Sequence, residues 1–420
     1  MKNKLSGKKI LILGGKPIGS FEIVKYAKEN GVYTIVTDFL PKEKSKAKQI
    51  ADECLDISTA DVDVLSKYVI DQHIDGIYTG VHEFNVEMAM KICSQTGRPF
   101  YATQEQWEIC TDKALFKKKC KEYGLPVAHD YSIHDMRNII YPVIIKPVDG
   151  SSGKGISICY TEDELLVAYD YAISVSLKKE VVIEEYLYGD EIVVFYTIAN
   201  GESRLSAISD YYYNYDQKVT MPLPQLYVYP SRYLCRFMLE MDATVRSFLA
   251  NLEIKNGTFF LQAFVNKDGF SFFEPGYRPG GSSVYKYTSY LNNISYIDML
   301  VNYSLTGSVG EIDINLENPN FSKPCCTLSL VAKGGCIKQI IGYEQACQIK
   351  EVIDSEKRYD IGDYIKENSA LMQIVLRFFI VADNKSRMKE VIDIIQNTVQ
   401  VCNDKDENML IAPFNIERIV

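Results

Sequence analysis

Histidine is scarce here, with four in 420 residues, and none of the eleven cysteines stands in a C-x-x-C pair. Zinc-ligand spacing and a disulfide framework are therefore missing, and a Ser-His-Asp constellation has little to draw on. Scattered thiols suit a reducing compartment. No stretch reaches the roughly 18 uncharged apolar residues that a membrane helix needs. The opening segment, Met1 to Gly7, is short and polar and lacks the apolar run of a signal peptide. A cytoplasmic protein with no membrane partner is the expectation. Long basic runs are absent too, and the net charge is -9. The one basic cluster, Lys42, Lys44, Lys46 and Lys48, is broken by Glu43 and small residues and reads as a solvated face. Nucleic acid is not an expected partner.

What is present is an ordinary globular composition, 47% hydrophobic and 24% charged, over a length that exceeds one core. The first part alternates strand and helix. Lys9–Leu13 (KILIL) is a buried-strand run followed by Gly14, Gly15 and Gly19, then a helix to Asn30 closed by Gly31. Tyr33–Thr37 and Ile74–Thr79 are further strands, and Val86–Thr96 a helix, so a parallel sheet is expected. Beyond Thr111 the pattern changes. A lysine-rich helix, Ala114–Tyr123, precedes strands at Val143–Lys146, Ile156–Tyr160 and Val181–Tyr186. Thr161 with Glu164 has the form of a capping box between the last two. Residues 191–227 read as extended and rich in tyrosine, Ser231–Leu252 as one helix, and Thr258–Val265 with Phe270–Glu274 as a hairpin. The tail starts with strands and a Lys333-Gly334-Gly335 turn and ends in a helix at Met388–Gln396. The expected organisation is an α/β chain with α+β subdomains at 1–111, 112–190, 191–318 and 319–420.

Five features carry chemistry. Strand Ile144-Ile145-Lys146-Pro147 delivers a lysine to Gly150-Ser151-Ser152-Gly153-Lys154-Gly155. Such a turn lets backbone N–H groups approach phosphate oxygens, although the G-x-x-x-x-G-K-[ST] spacing fails and a strand follows. Lys113, in Thr111-Asp112-Lys113, opens the next-door helix. Val181–Leu187 is an apolar strand ending in Glu184, Glu185, Tyr186 and Leu187, with Glu191 just beyond, an edge suited to a purine and a ribose. Gln262 and Glu274 fall opposite each other if the hairpin loop is Lys267-Asp268-Gly269, with Gly269 at positive φ. Oxygens from both would suit magnesium, which takes few protein ligands beside phosphates. Last, Glu274-Pro275-Gly276-Tyr277-Arg278-Pro279-Gly280-Gly281 places an arginine where charge would develop on a transferred phosphoryl group. Each taken alone also reads as ordinary surface structure.

In this order the five resemble the ATP-grasp superfamily, nearest to carboxylate–amine ligases and the synthetase halves of the carbamoyl-phosphate synthase large chain. The resemblance runs from the first strand to about Ser283. It implies an ATP-grasp fold behind a Rossmann-like parallel-sheet domain. It implies Lys113 and Lys146 on ATP phosphates, Ser151, Ser152, Gly153, Lys154 and Gly155 as a flap, Glu184, Glu185, Tyr186 and Leu187 at adenine, and Glu191 on ribose. Gln262 and Glu274 would hold Mg²⁺, with Mn²⁺ as a substitute. Arg278, with Lys146, would be catalytic, and Glu83, Gly280, Gly281 and Ser282 would face substrate. The implied activity is ATP-dependent ligation of a small-molecule carboxylate to an amine through an acyl phosphate, and relatives commonly form homodimers. Gln at the first metal position also fits phosphorylation of bicarbonate or carbamate. The family usually has E-x-N-x-R, whereas this chain has Gly276 at the asparagine position, which also admits a module that binds ATP without turnover. The spacing Gly14-Gly15-x-x-x-Gly19 with Asp38 is not that of a dinucleotide site.

Overall fold

The computed structural model describes residues 4–16, 19–149, 154–213, 224–367 and 370–420. Lys9–Leu13 forms strand β1, and Ile10 to Leu13 are fully buried, as a parallel strand covered on both faces must be. It pairs in parallel with β2 (Tyr33–Thr37) and with β4 (Gly76–Thr79), while the short β3 (Glu53–Leu55) adds an edge, giving the order β3-β2-β1-β4. The run expected as the third strand is thus the fourth. Its helix begins at Glu83, not Val86, so Glu83 lies in a first helical turn and not in a loop.

A second, antiparallel sheet follows: β5 (Asp130–Tyr131), β6 (Val143–Pro147), β7 (Ser157–Cys159) and β8 (Val181–Glu185), ordered β5-β8-β6-β7. The helix Glu162–Val175 covers it. The Thr161 hydroxyl accepts from the Glu164 N–H, but the Glu164 carboxylate reaches Tyr160, one residue before the cap.

The largest sheet has eight strands in the order β13-β12-β9-β10-β11-β14-β19-β17. These are β9 (Asp190–Ala199), β10 (Glu202–Tyr213), β11 (Pro224–Tyr229), β12 (Gly257–Asn266), β13 (Gly269–Gly276), β14 (Cys325–Val331), β17 (Val352–Lys357) and β19 (Ile374–Val381). It runs across position 318. Two small pairs flank it: β15 (Gly335–Cys336) with β18 (Tyr364–Ile365), and β16 (Gln339–Ile341) with β20 (Gln400–Cys402). The single helix expected over Ser231–Leu252 is two, Leu234–Glu240 and Asp242–Asn251, parted at Met241. Asp242 opens the second, where its carboxylate accepts from Tyr196 Oη at 2.7 Å and pairs with Arg246 at 3.0 Å. The last helix spans Lys385–Thr398 and the chain then returns to β20 instead of ending there. Among the described residues, no helix is long and apolar enough to cross a membrane.

One apolar core joins the first sheet to the largest, from Ile10 and Ile12 through Met299 and Leu300 to Val194 and Leu261. The helix Tyr296–Thr306 is the bridge, and it lies so close to β4 that a Cβ on Gly76 would overlap the Ser304 carbonyl. Gly76→Ala is expected to lower the unfolding free energy by about 1–3 kcal/mol, read as an earlier urea midpoint.

Candidate active site

The site begins with the β12–β13 hairpin. Its loop is two residues, Lys267 and Asp268, because Asn266 pairs with Gly269, whose φ is +145°. The expected three-residue loop is therefore corrected. A bulge restores the expected pairing: Ala263 faces Phe272, Phe273 is left over, and Gln262 faces Glu274. The Gln262 amide nitrogen donates to Glu191 Oε1 at 3.4 Å, so the amide oxygen is the ligand atom that remains. Tyr213 Oη donates to the other Glu191 oxygen. Glu191, expected at ribose, thus also touches the pair expected at the metal. Lost hydration, with the Glu274 charge adding to it, pushes the Glu191 carboxyl up to about 7 although Tyr213 opposes the rise. Glu274 lies exposed in the cleft. Its carboxyl is raised by incomplete hydration and by Glu83, and lowered by Lys113, Arg278 and Lys146. The charges of all four groups thus act on it. No cluster of three or more His, Cys, Asp or Glu that could hold a metal occurs among the described residues. Two oxygens are the protein's offer, which fits a magnesium ion completed by phosphate and water rather than an all-protein cage.

The second sheet and the helix Lys113–Glu122 supply the lysines. Lys146, on β6, donates to Glu184 Oε2 at 2.7 Å and lies 6.0 Å from the centroid of the bulge residue Phe273. Glu184 Oε1 accepts from Lys117 at 2.8 Å, and Lys117 also pairs with Asp130. The Glu184 carboxylate is thus the counter-ion of two lysines. The Glu185 N–H donates to the His129 carbonyl at 3.0 Å and its carboxylate takes the His129 N–H at 2.8 Å, while the Tyr186 N–H donates to Pro142 at 3.2 Å. These bonds pin the edge that continues to Leu187. Lys113 opens the helix Lys113–Glu122 behind the Asp112 cap. Poor hydration and Lys146 push its ammonium down, against Glu274 and Glu83. Gly155 has φ +76° and a Cβ there would press on Pro147. Lys154 is exposed beside it. Ser151, Ser152 and Gly153 lie outside the described residues.

Arg278 comes from the end of β13. It donates to Glu83 Oε2 at 3.2 Å and its guanidinium carbon sits 5.3 Å from the Phe260 ring centroid. The same ring, paired across from Gly276, takes the space a side chain at 276 would use, because a Cβ there would overlap it. The missing asparagine is thus an aromatic platform under the arginine. Tyr277 locks this stretch: Tyr277 Oη donates to the Tyr101 carbonyl at 2.9 Å and Tyr101 Oη donates back at 3.1 Å. Of the residues expected to face substrate, Gly281 borders open space, Gly280 packs on Phe195, and Ser282 is buried with Tyr229 Oη 3.1 Å from its hydroxyl. Asp38 is occupied by the N–H groups of Gly15 (2.6 Å) and Leu40 (2.8 Å) and by Lys48 (3.1 Å), so it is no ribose acceptor.

Phe260, Phe273 and Lys117 were not read from the sequence. Lys117 was within reach, four residues from Lys113 on the same helical face. Phe260 was signalled only by the missing side chain at 276.

Residues 139–281 match the model of the ATP-grasp domain family. The carbamoyl phosphate synthase large chain of Caldanaerobacter subterraneus subsp. tengcongensis is 27% identical over 211 residues, 44% of this chain and 20% of that one. The formate-dependent phosphoribosylglycinamide formyltransferase of Prochlorococcus marinus subsp. pastoris is 28% identical over 205 residues, 46% of this chain and 52% of that one. The chain thus covers about half, or less, of these relatives' lengths. The crystal structure of L-amino acid ligase from Bacillus licheniformis superposes with a TM-score of 0.77 at 17% identity, over 95% of this chain and 99% of that one. Residues 139–281 are thus similar to an ATP-grasp domain, and the chain as a whole shares the fold of that solved ligase.

Proposed function

We propose that this chain is an ATP-dependent ligase that activates a substrate carboxylate as an acyl phosphate for attack by an amine. The observation that carries the reading is the gathering of Lys113, Lys146, Arg278 and Glu83 around Glu274, directly across from Gln262. Cations from β6, from the helix Lys113–Glu122 and from the end of β13 face oxygens of the β12–β13 hairpin, an arrangement suited to a polyphosphate and its divalent ion. Mg²⁺ bound to Gln262 and Glu274 would neutralise phosphate charge. Lys113 and Lys146 would orient the phosphates, and the Val181–Leu187 edge would take the base. Arg278, braced by Phe260 and Glu83, would hold the reacting carboxylate in line. Positioning and charge neutralisation are what phosphoryl transfer asks of a protein, and no side-chain nucleophile is required. The relatives named above are ligases and transferases of small molecules, which supports the class without naming the acid or the amine.

Screening pooled amino acids and small carboxylates for ADP release tests this. The wild type is expected to release ADP only with an acid from the pool. Lys146→Ala should cut that rate by at least about a hundredfold while leaving thermal unfolding near that of the wild type, because Lys117 still pairs with Glu184. ADP release driven by bicarbonate alone would reassign the acid, and nucleotide binding without any turnover would refute catalysis.

The Phe260–Gly276 contact makes a separate prediction. Gly276→Asn alone should cost about 1–3 kcal/mol by overpacking. Combined with Phe260→Ala it should cost at least about 1 kcal/mol less than the sum of the two single changes, measured in a double-mutant cycle of urea unfolding.

A further inference from the structure

Far along the largest sheet from Gln262 lies a second concentration of positive charge. Arg377, on β19, is 2% exposed. Its register neighbours are Ser329 on β14 and Glu356 on β17. Each of the three carries a buried polar atom without a hydrogen-bond partner among the described residues: Arg377 Nε, Ser329 Oγ and Glu356 Oε2. Buried polar groups are ordinarily satisfied, so three orphans in one cross-strand row are unusual. Arg358, immediately after β17, donates to Glu356 Oε1 at 3.0 Å, whereas Glu356 Oε2 stays 3.9 Å from Arg377. Both guanidinium groups thus lie at the Glu356 carboxylate, and Arg358 has a further partner besides. Lost hydration and the Arg377 charge both push the Arg358 guanidinium down from its usual range. The nearby Lys286 is engaged elsewhere, because it pairs with both Glu22 and Asp354. Tyr227 walls one side, 6.0 Å from the Arg377 guanidinium carbon. The cluster opens to solvent through the Arg358 and Glu356 side chains, 19% and 23% exposed.

This cluster is tied to the candidate active site. Arg377 donates to the Gly281 carbonyl at 2.5 Å, and Gly281 ends the loop that begins at Arg278. Three residue steps separate the two, at most about 11 Å. A cation pole therefore stands at each end of one short loop, with Gly281 beside open space between them.

We propose that Arg358 and Arg377 form a second oxyanion site, so that the substrate of this chain carries a carboxylate or phosphate group beyond the one that reacts. The inference rests on the carboxylate-activation reading for the word substrate, but the anion site is defined by its own residues. A guanidinium fork gives bidentate hydrogen bonds to such a group, and a ligand hydroxyl or amine would suit Glu356 Oε2.

Calorimetric titration of the full chain with inorganic phosphate and, separately, with glutarate tests it, with Mg-ADP titrated as the control for the nucleotide cleft. At least one anion is expected to bind the wild type. Arg377→Met should weaken that binding by about tenfold or more, and Arg377→Lys, which keeps the charge and loses the fork, by less. Mg-ADP affinity should stay within about twofold in both variants. Phosphate binding alone would place a phosphate ester in the site, and glutarate binding alone a second carboxylate. Equal anion affinity in wild type and Arg377→Met, or no binding of either probe to the wild type at about 20 mM, would overturn the proposal. If Arg377→Met loses Mg-ADP binding as well, Arg377→Lys decides by the same criteria. Anion binding in a wild type that ignores Mg-ADP would sink the nucleotide reading and leave the anion site standing.

Discussion

The register of one hairpin governs the rest of the cleft. The bulge at Phe273 sets Gln262 opposite Glu274 and, two residues on, Phe260 opposite Gly276. Because strand side chains alternate between faces, a slip of a single residue would turn the oxygen pair away from the lysines. The same bulge frees Phe273 to lie under Lys146 of the other sheet. Register, aromatic packing and charge placement are thus one constraint, and the reciprocal Tyr101–Tyr277 hydrogen bonds anchor it to the first domain.

Electrostatics divides the labour between the sheets. The second sheet holds its own Lys146 and the helical Lys117 against Glu184, while the largest sheet presents Glu274 and Glu191 with carboxyl groups raised by poor hydration. Acids held in that state gain from any cation that arrives. Lys113, depressed by the same lack of water, gains from any anion. The cleft is therefore poised to take a cation and an anion together, as a metal–polyphosphate complex would supply them. That is the physical basis of the proposed activity, and Arg278 stacked on Phe260 extends it toward the reacting group.

The alternating apolar runs of the first domain were legible because β1 and β4 are buried on both faces and carry no competing signal. The pairing of Gln262 with Glu274 was legible too, but for a different local reason: a two-residue loop plus a bulge gives the same alignment as a three-residue loop without one. The break at Met241 was not readable, since it depends on Tyr196 meeting Asp242 from elsewhere in the fold. Phe260 under Arg278 escaped for a similar reason. A lone aromatic in an apolar strand carries no mark of what will stand on it. The arginines at 358 and 377 are distant in sequence from every motif, and only the pairing of β17 with β19 brings them together.

The run Asp130–Lys117–Glu184–Lys146 is closed by the chain's own side chains. Glu184 keeps Lys146 aimed and neutralised, and under the proposed activity an incoming nucleotide would trade places with a carboxylate that is already there. Such exchange spares most of the conformational entropy that ordering a loose ammonium would cost on association. The same run ties the helix Lys113–Glu122 to β5 and β8 through Lys117, so helix and sheet share one ionic seam.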